Sequence, residues 1–192
     1  YFRCASNGLV SIMAVNTNDI ASLEHLLIEK LAFYRDIICP NSPDVYSEIL
    51  NGAIRTALTI ISRTDALYHD VEHTCLVTLC GQDMILGREL RRGDLSSSDW
   101  LHFTIACLFH DIGYVRDALE QDDEEGQLAD ASGKKILLPP GCTDAALTPY
   151  HVFRGQQFVL NRNWHSEVDA TYLSGLIMQT EFPLPASRNI EG

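Results

Sequence analysis

The sequence predicts an all-α protein, a single compact bundle of about six or more helices over residues 17–192, on three observations. Apolar residues recur every three or four positions in almost every segment. No stretch worth naming alternates apolar and polar residues as a half-buried strand would, and there is no internal repeat. Capping residues and prolines punctuate the apolar runs where helices would start and stop.

The first 16 residues, YFRCASNGLVSIMAVN, lack the long apolar stretch and cleavage pattern of a signal peptide. We expect them to be an extension outside the core. After the cap candidates in NTND, Ile20, Leu23, Leu27, Leu31, Tyr34 and Ile38 share one face of a first helix, which Pro40 and Pro43 end. A second helix is expected from about Asp44 to Arg63, with Val45, Ile49, Ala53, Ala57 and Ile60 or Ile61 on one side. A third is expected over about Asp70–Leu90. A fourth follows the capping cluster SSSD and runs from about Trp100 to Ile112. It is apolar nearly all round, which marks a central helix. The pattern fails over residues 118–149, which hold EQDDEEG and SGKKILLPPG; a loop this long suggests a lid over a site. Its acidic run reads as a solvated face. Helical periodicity returns over Tyr150–Leu160 and Glu167–Gln179.

A net charge of −12 argues against a nucleic-acid polymer as partner, since a phosphate backbone needs a positive footprint. It leaves small phosphate esters open, because a bound cation can invert the local field. No apolar run reaches the roughly 18 residues of a membrane span. The six cysteines form no C-x-x-C pair, and Cys39, Cys75, Cys80 and Cys107 sit in apolar segments as reduced core thiols would. That favours a reducing, cytoplasmic setting.

Among seven histidines, two groups carry chemistry. In LYHDVEHTCLV, His69 and His73 are four apart, so a helix starting by Asp70 would place them about one turn apart. In LFHDIGY, His110 and Asp111 are adjacent and close an otherwise apolar helix. Adjacent helical side chains diverge by roughly 100 degrees, so both reach one ion only where the helix bends or ends, as Gly113 allows. Imidazoles with a carboxylate suit a borderline divalent cation, and such an ion would offset the burial of an aspartate. On the residues alone, a hydrogen-bonded His–Asp pair and a metal site are both open.

YHDVEHT followed by LFHDIGY resembles the HD-domain metal-dependent phosphohydrolases, and among them the helical catalytic fold of the cyclic-nucleotide phosphodiesterases. That branch carries a YHN-x-x-H stretch and then an HD pair at similar spacing; here 37 residues separate His73 from His110. YHVFRGQQFVLNRN and LSGLIMQTEFP are similar to two later helices of that branch, so the resemblance covers about Leu67–Pro183. It implies that His73, His110 and Asp111 bind one or two divalent ions (Mn, Fe, Ni, Co, Zn or Mg), with Asp111 able to bridge two. It implies that His69 is a general acid, protonating the leaving oxygen of a small-molecule phosphomonoester or phosphodiester, such as a nucleotide, while metal-bound hydroxide attacks phosphorus. His151 falls where some two-metal relatives place a further ligand; a helix-start histidine facing solvent is the other open reading. Asp70 replaces the usual Asn and adds negative charge beside the site.

The family's closing aspartate has no counterpart, since no aspartate follows Asp169. Glu181, a water or a residue further along a longer chain would fill the position, or the site is degenerate. Two alternatives follow: an HD-fold di-iron oxygenase, and an HD-fold binding or regulatory module. A homo-oligomer is compatible with the sequence.

Overall fold

Four helices start where an apolar stripe meets a capping side chain, Asp19, Asp70, Ser96 or Asp169. The computed structural model describes residues 19–181; the expected extension over residues 1–16 lies outside them. The described residues form six α-helices, two 3₁₀ turns and one short hairpin, so the expected all-α bundle is what the chain builds.

Helix α1, Ile20–Ile38, starts at Asp19, whose carboxylate accepts the backbone N–H of Ala21. Leu23, Leu27, Leu31, Tyr34 and Ile38 are its buried stripe, the spacing of one helix face. Helix α2, Val45–Ile61, buries Tyr46, Leu50, Ala53, Ile54, Ala57, Leu58 and Ile61. Of the expected stripe, Ala53, Ala57 and Ile61 are buried, whereas Val45 and Ile49 pack against the core only partly buried, beside the buried Tyr46 and Leu50. The apolar arc of this helix is wider than one stripe, and it packs against α1 and α4. Helix α3, Val71–Arg92, is capped by Asp70 and stopped by Gly93, whose φ of 61° is the left-handed conformation that ends helices.

Helix α4, Ser97–Phe109, opens with a reciprocal capping box between Ser96 and Asp99. It is buried on nearly every side and meets α2, α3 and α6. A chain of buried polar contacts locks it to α3. The indole Nε1–H of Trp100 donates to Gln82 Oε1 at 2.7 Å, the Gln82 amide donates to Thr104 Oγ1 at 3.1 Å, and Thr104 donates to the Trp100 carbonyl at 2.7 Å. In a dry core these bonds fix a register that apolar packing alone leaves adjustable.

The helix stops at Phe109, three residues before the expected end. His110 is its cap and Asp111 leads into a 3₁₀ turn, Ile112–Tyr114. Helices α5, His151–Leu160, and α6, Ala170–Met178, pack on each other, and α5 also packs on that turn. The long connection between the turn and α5 is built rather than structureless. It contains strands β1, Gln127–Leu128, and β2, Lys135–Ile136, paired antiparallel, and a 3₁₀ turn at Asp144–Leu147. Two residues per strand are too few to show alternation in a sequence.

Cys39 and Cys75 are buried and Cys107 half-buried, as expected, whereas Cys80 is exposed. Burial pushes the Cys75 and Cys107 thiols up to about 12, so both are poor nucleophiles. No helix among the described residues is long and apolar enough to cross a membrane.

Candidate metal centre

Four elements deliver the candidate residues. His69 lies just outside α3, in a turn where its N–H donates to the Ala66 carbonyl. Mutual bonds between Asp65 and Asp144 fasten that turn to the second 3₁₀ turn: Asp144 N–H donates to Asp65 Oδ1 at 2.6 Å and Asp65 N–H to Asp144 Oδ2 at 3.3 Å. His73 sits in the first turn of α3, and the Asp70 carboxylate accepts its backbone N–H at 2.8 Å. Asp70 thus serves as the cap of the helix that carries His73, a contribution of about 1 kcal/mol. His110 and Asp111 come from the end of α4, and His151 opens α5.

Three imidazoles converge on one oxygen. Asp111 Oδ2 lies 2.7 Å from His69 Nδ1, 3.2 Å from His73 Nε2 and 3.1 Å from His110 Nε2. His73 Nε2 and His110 Nε2 are 3.4 Å apart. Ligand atoms of His69, His73 and Asp111 all lie within 4.8 Å of one another. His110 Nδ1 donates to the Cys107 carbonyl at 2.8 Å. That bond places the lone pair of the neutral ring on Nε2, the atom facing Asp111, as outer-shell partners of metal-bound histidines do.

Burial alone would push the Asp111 carboxyl up. Hydrogen bonds from His110, His73 and His69 outweigh it and hold the group well below the ordinary carboxylate range. For His110, burial works against the charged ring, but the Asp111 carboxylate prevails and raises its pKa. A buried anion ringed by imidazole nitrogens, with a fixed tautomer behind one of them, is a donor set that fits Mn, Fe, Co, Ni or Zn.

An aromatic layer closes one side. The Tyr114 ring stacks on His69, centroids 3.9 Å apart and planes 16° apart, and on His151 at 4.4 Å and 22°. Tyr68 leans against His73 with centroids 4.5 Å apart. His151 thus lines the centre at one remove: Tyr114 stands between it and His69, and its Nδ1 donates to the Thr148 carbonyl at 2.6 Å. Burial lowers the pKa of His151.

The structure brings together His69, His73, His110 and Asp111, and sets His151 beside them. His69, expected as a proton donor, contacts the same carboxylate oxygen as the two expected ligands. Glu181 ends the turn after α6 and is absent from the group whose ligand atoms converge. A groove of about 200 Å³ between α1 and α2, with Trp100 of α4 among its lining residues and Arg35, Ser47 and Asn51 beside apolar side chains, shares no residue with this cluster. Sequence reasoning leaves Tyr114 and Tyr68 without a role, although both sit inside the quoted motifs. It also passes over Arg154, wholly buried behind the 3₁₀ turn.

Residues 22–191 match the family model described as Npun_R2479-like. No curated protein matches the chain, and no solved structure does.

Proposed function

The chain belongs to the Npun_R2479-like family, and we propose that it is a metal-dependent phosphohydrolase acting on a small phosphate ester. The observation that carries this reading is the meeting of three imidazole nitrogens, each within 3.2 Å, on one oxygen of Asp111. The order of the motifs, and their resemblance to the HD-domain phosphohydrolases, supports the reaction type.

His73, His110 and Asp111 would hold the cation, with Asp111 supplying the anionic ligand and the His110–Cys107 bond orienting its ring. A divalent ion bound there lowers the pKa of water and polarises a phosphoryl oxygen. His69 engages Asp111 through Nδ1, which leaves Nε2 as the atom to pass a proton to the leaving oxygen. Asp111 keeps the His69 ring in one orientation, and Tyr114 keeps it in one plane.

The test is metal content together with turnover. The purified protein should hold divalent metal and, when supplemented with Mn, Zn, Ni, Co or Mg, hydrolyse generic phosphate esters. Asp111→Ala should lose bound metal and at least about 10³-fold in kcat, the scale at which a catalytic assembly fails, while circular dichroism stays helical. A folded parent that binds no metal and hydrolyses nothing overturns the reading. The converging group contains one carboxylate, which favours a second reading, a ligand-binding module on the same fold. Metal binding without turnover of any ester would select it.

A further inference from the structure

The guanidinium of Arg154 is fully enclosed, and so is the carboxylate of its partner Asp122. Every N–H of this guanidinium has an acceptor. Nε donates to the Gly113 carbonyl at 2.8 Å. Nη1 donates to Asp122 Oδ1 at 2.8 Å and to the Leu128 carbonyl at 3.1 Å. Nη2 donates to the Val115 carbonyl and Asp122 Oδ2, each at 2.9 Å, and to Gln127 Oε1 at 3.3 Å. An enclosed ion pair is weak evidence for stability, because replacing both partners together by hydrophobic residues often does as well. Its acceptors point to another use.

Gly113 and Val115 flank Tyr114, so one planar fork fixes the carbonyls on both sides of the residue whose ring lies against His69. The same turn is pressed onto the start of α5. A Cβ on Gly113 would run into the His151 carbonyl, so only glycine permits this approach. Arg154 projects from α5 one turn after His151. Helix α5, the turn and the loop through Asp122 and Leu128 therefore meet at a single side chain.

We propose that Arg154 is a positioning residue for His69, acting through Tyr114, with Asp122 orienting its fork. The proposal rests on the functional reading above only in taking His69 as the proton donor. A lysine keeps the charge but lacks the fork that holds Gly113 and Val115 together. Its ammonium leaves Tyr114 free to shift, and displacement of a reacting group by about 1 Å can lower a rate on the order of 100-fold.

The test uses Arg154→Lys, Tyr114→Leu and the double variant, with Tyr34→Phe, which removes a hydrogen bond from α1 to Asp83 of α3, as a control for general destabilisation. The first readout is the ¹⁵N-histidine NMR spectrum of the metal-free protein at one fixed pH. His69 resonances should shift in Arg154→Lys as the stacked ring moves, while those of His102, held by the Ser98 carbonyl and the Asp169 N–H, stay in place. The second is kinetic: kcat should fall about 10- to 100-fold with KM and metal stoichiometry near the parent's, and the double variant should be no worse than Tyr114→Leu. Unmoved His69 signals in a folded Arg154→Lys, or additive losses in the double variant, overturn the proposal. If Arg154→Lys does not fold, Asp122→Asn loosens the fork while keeping the guanidinium; it should shift the same His69 signals, and unmoved signals there overturn the proposal equally. A parent without turnover sinks the hydrolase reading alone, since the spectrum still decides whether Arg154 places His69.

Discussion

The two halves of the centre are held by different means. His73 and His110 ride on α3 and α4, whose register is set by caps and by the Trp100–Gln82–Thr104 chain. His69, Tyr114 and His151 sit at the joints of turns and of α5, and what holds them is an enclosed ion pair and paired aspartates reaching across the chain. The first half is made rigid by regular structure. The second is made rigid by a few polar side chains, each with many partners, so losing one of them should hurt more.

The sharpest way to break that contrast is Arg154→Met. It leaves the Asp122 carboxylate enclosed without its cation, a loss of about 3–5 kcal/mol, measured as the free energy of urea unfolding. Gln82→Leu strikes the helix-borne half at its equivalent point. It strands the buried indole N–H of Trp100 and should lower the same quantity by about 1–3 kcal/mol. If Gln82→Leu proves the more damaging of the two, the contrast is reversed. The smallest effect is a refinement in pH. Burial of Asp122 alone would raise its pKa, but hydrogen bonds from Arg154 and from the backbone of Leu128 and Leu119 outweigh it and leave the group below its ordinary value. A depressed carboxylate contributes stability above its unfolded pKa of about 3.9 and loses it as the pH falls through the folded value. The urea midpoint of the parent should therefore drop more steeply below about pH 4 than that of Asp122→Asn.

The same division decides what can be read from the sequence. The helices are legible because stripes such as Leu23–Leu27–Leu31 and caps such as Ser96 with Asp99 are local signals. The proximity of His73, His110 and Asp111 is legible only through the resemblance, since nothing local says which turn of α3 faces the end of α4. Helix α4 ends earlier than its pattern suggests, because Ile112 continues the apolar run while the chain has already tightened to 3₁₀. Asp122 is hidden most thoroughly. Within EQDDEEG it reads as one more surface charge, and its neighbours Glu120, Gln121, Asp123, Glu124 and Glu125 are indeed exposed. Its cation lies 32 positions away in a helix where an arginine carries no periodic signal. The paired β1 and β2 are too short to register at all.

Three imidazole nitrogens crowd one oxygen of Asp111, and each either donates an N–H to it or turns a lone pair toward it. The cation proposed for this centre would need a lone pair on each nitrogen that bound it. On the proposed reading, taking up the cation would release protons, and the centre's hold on metal would weaken as the pH falls.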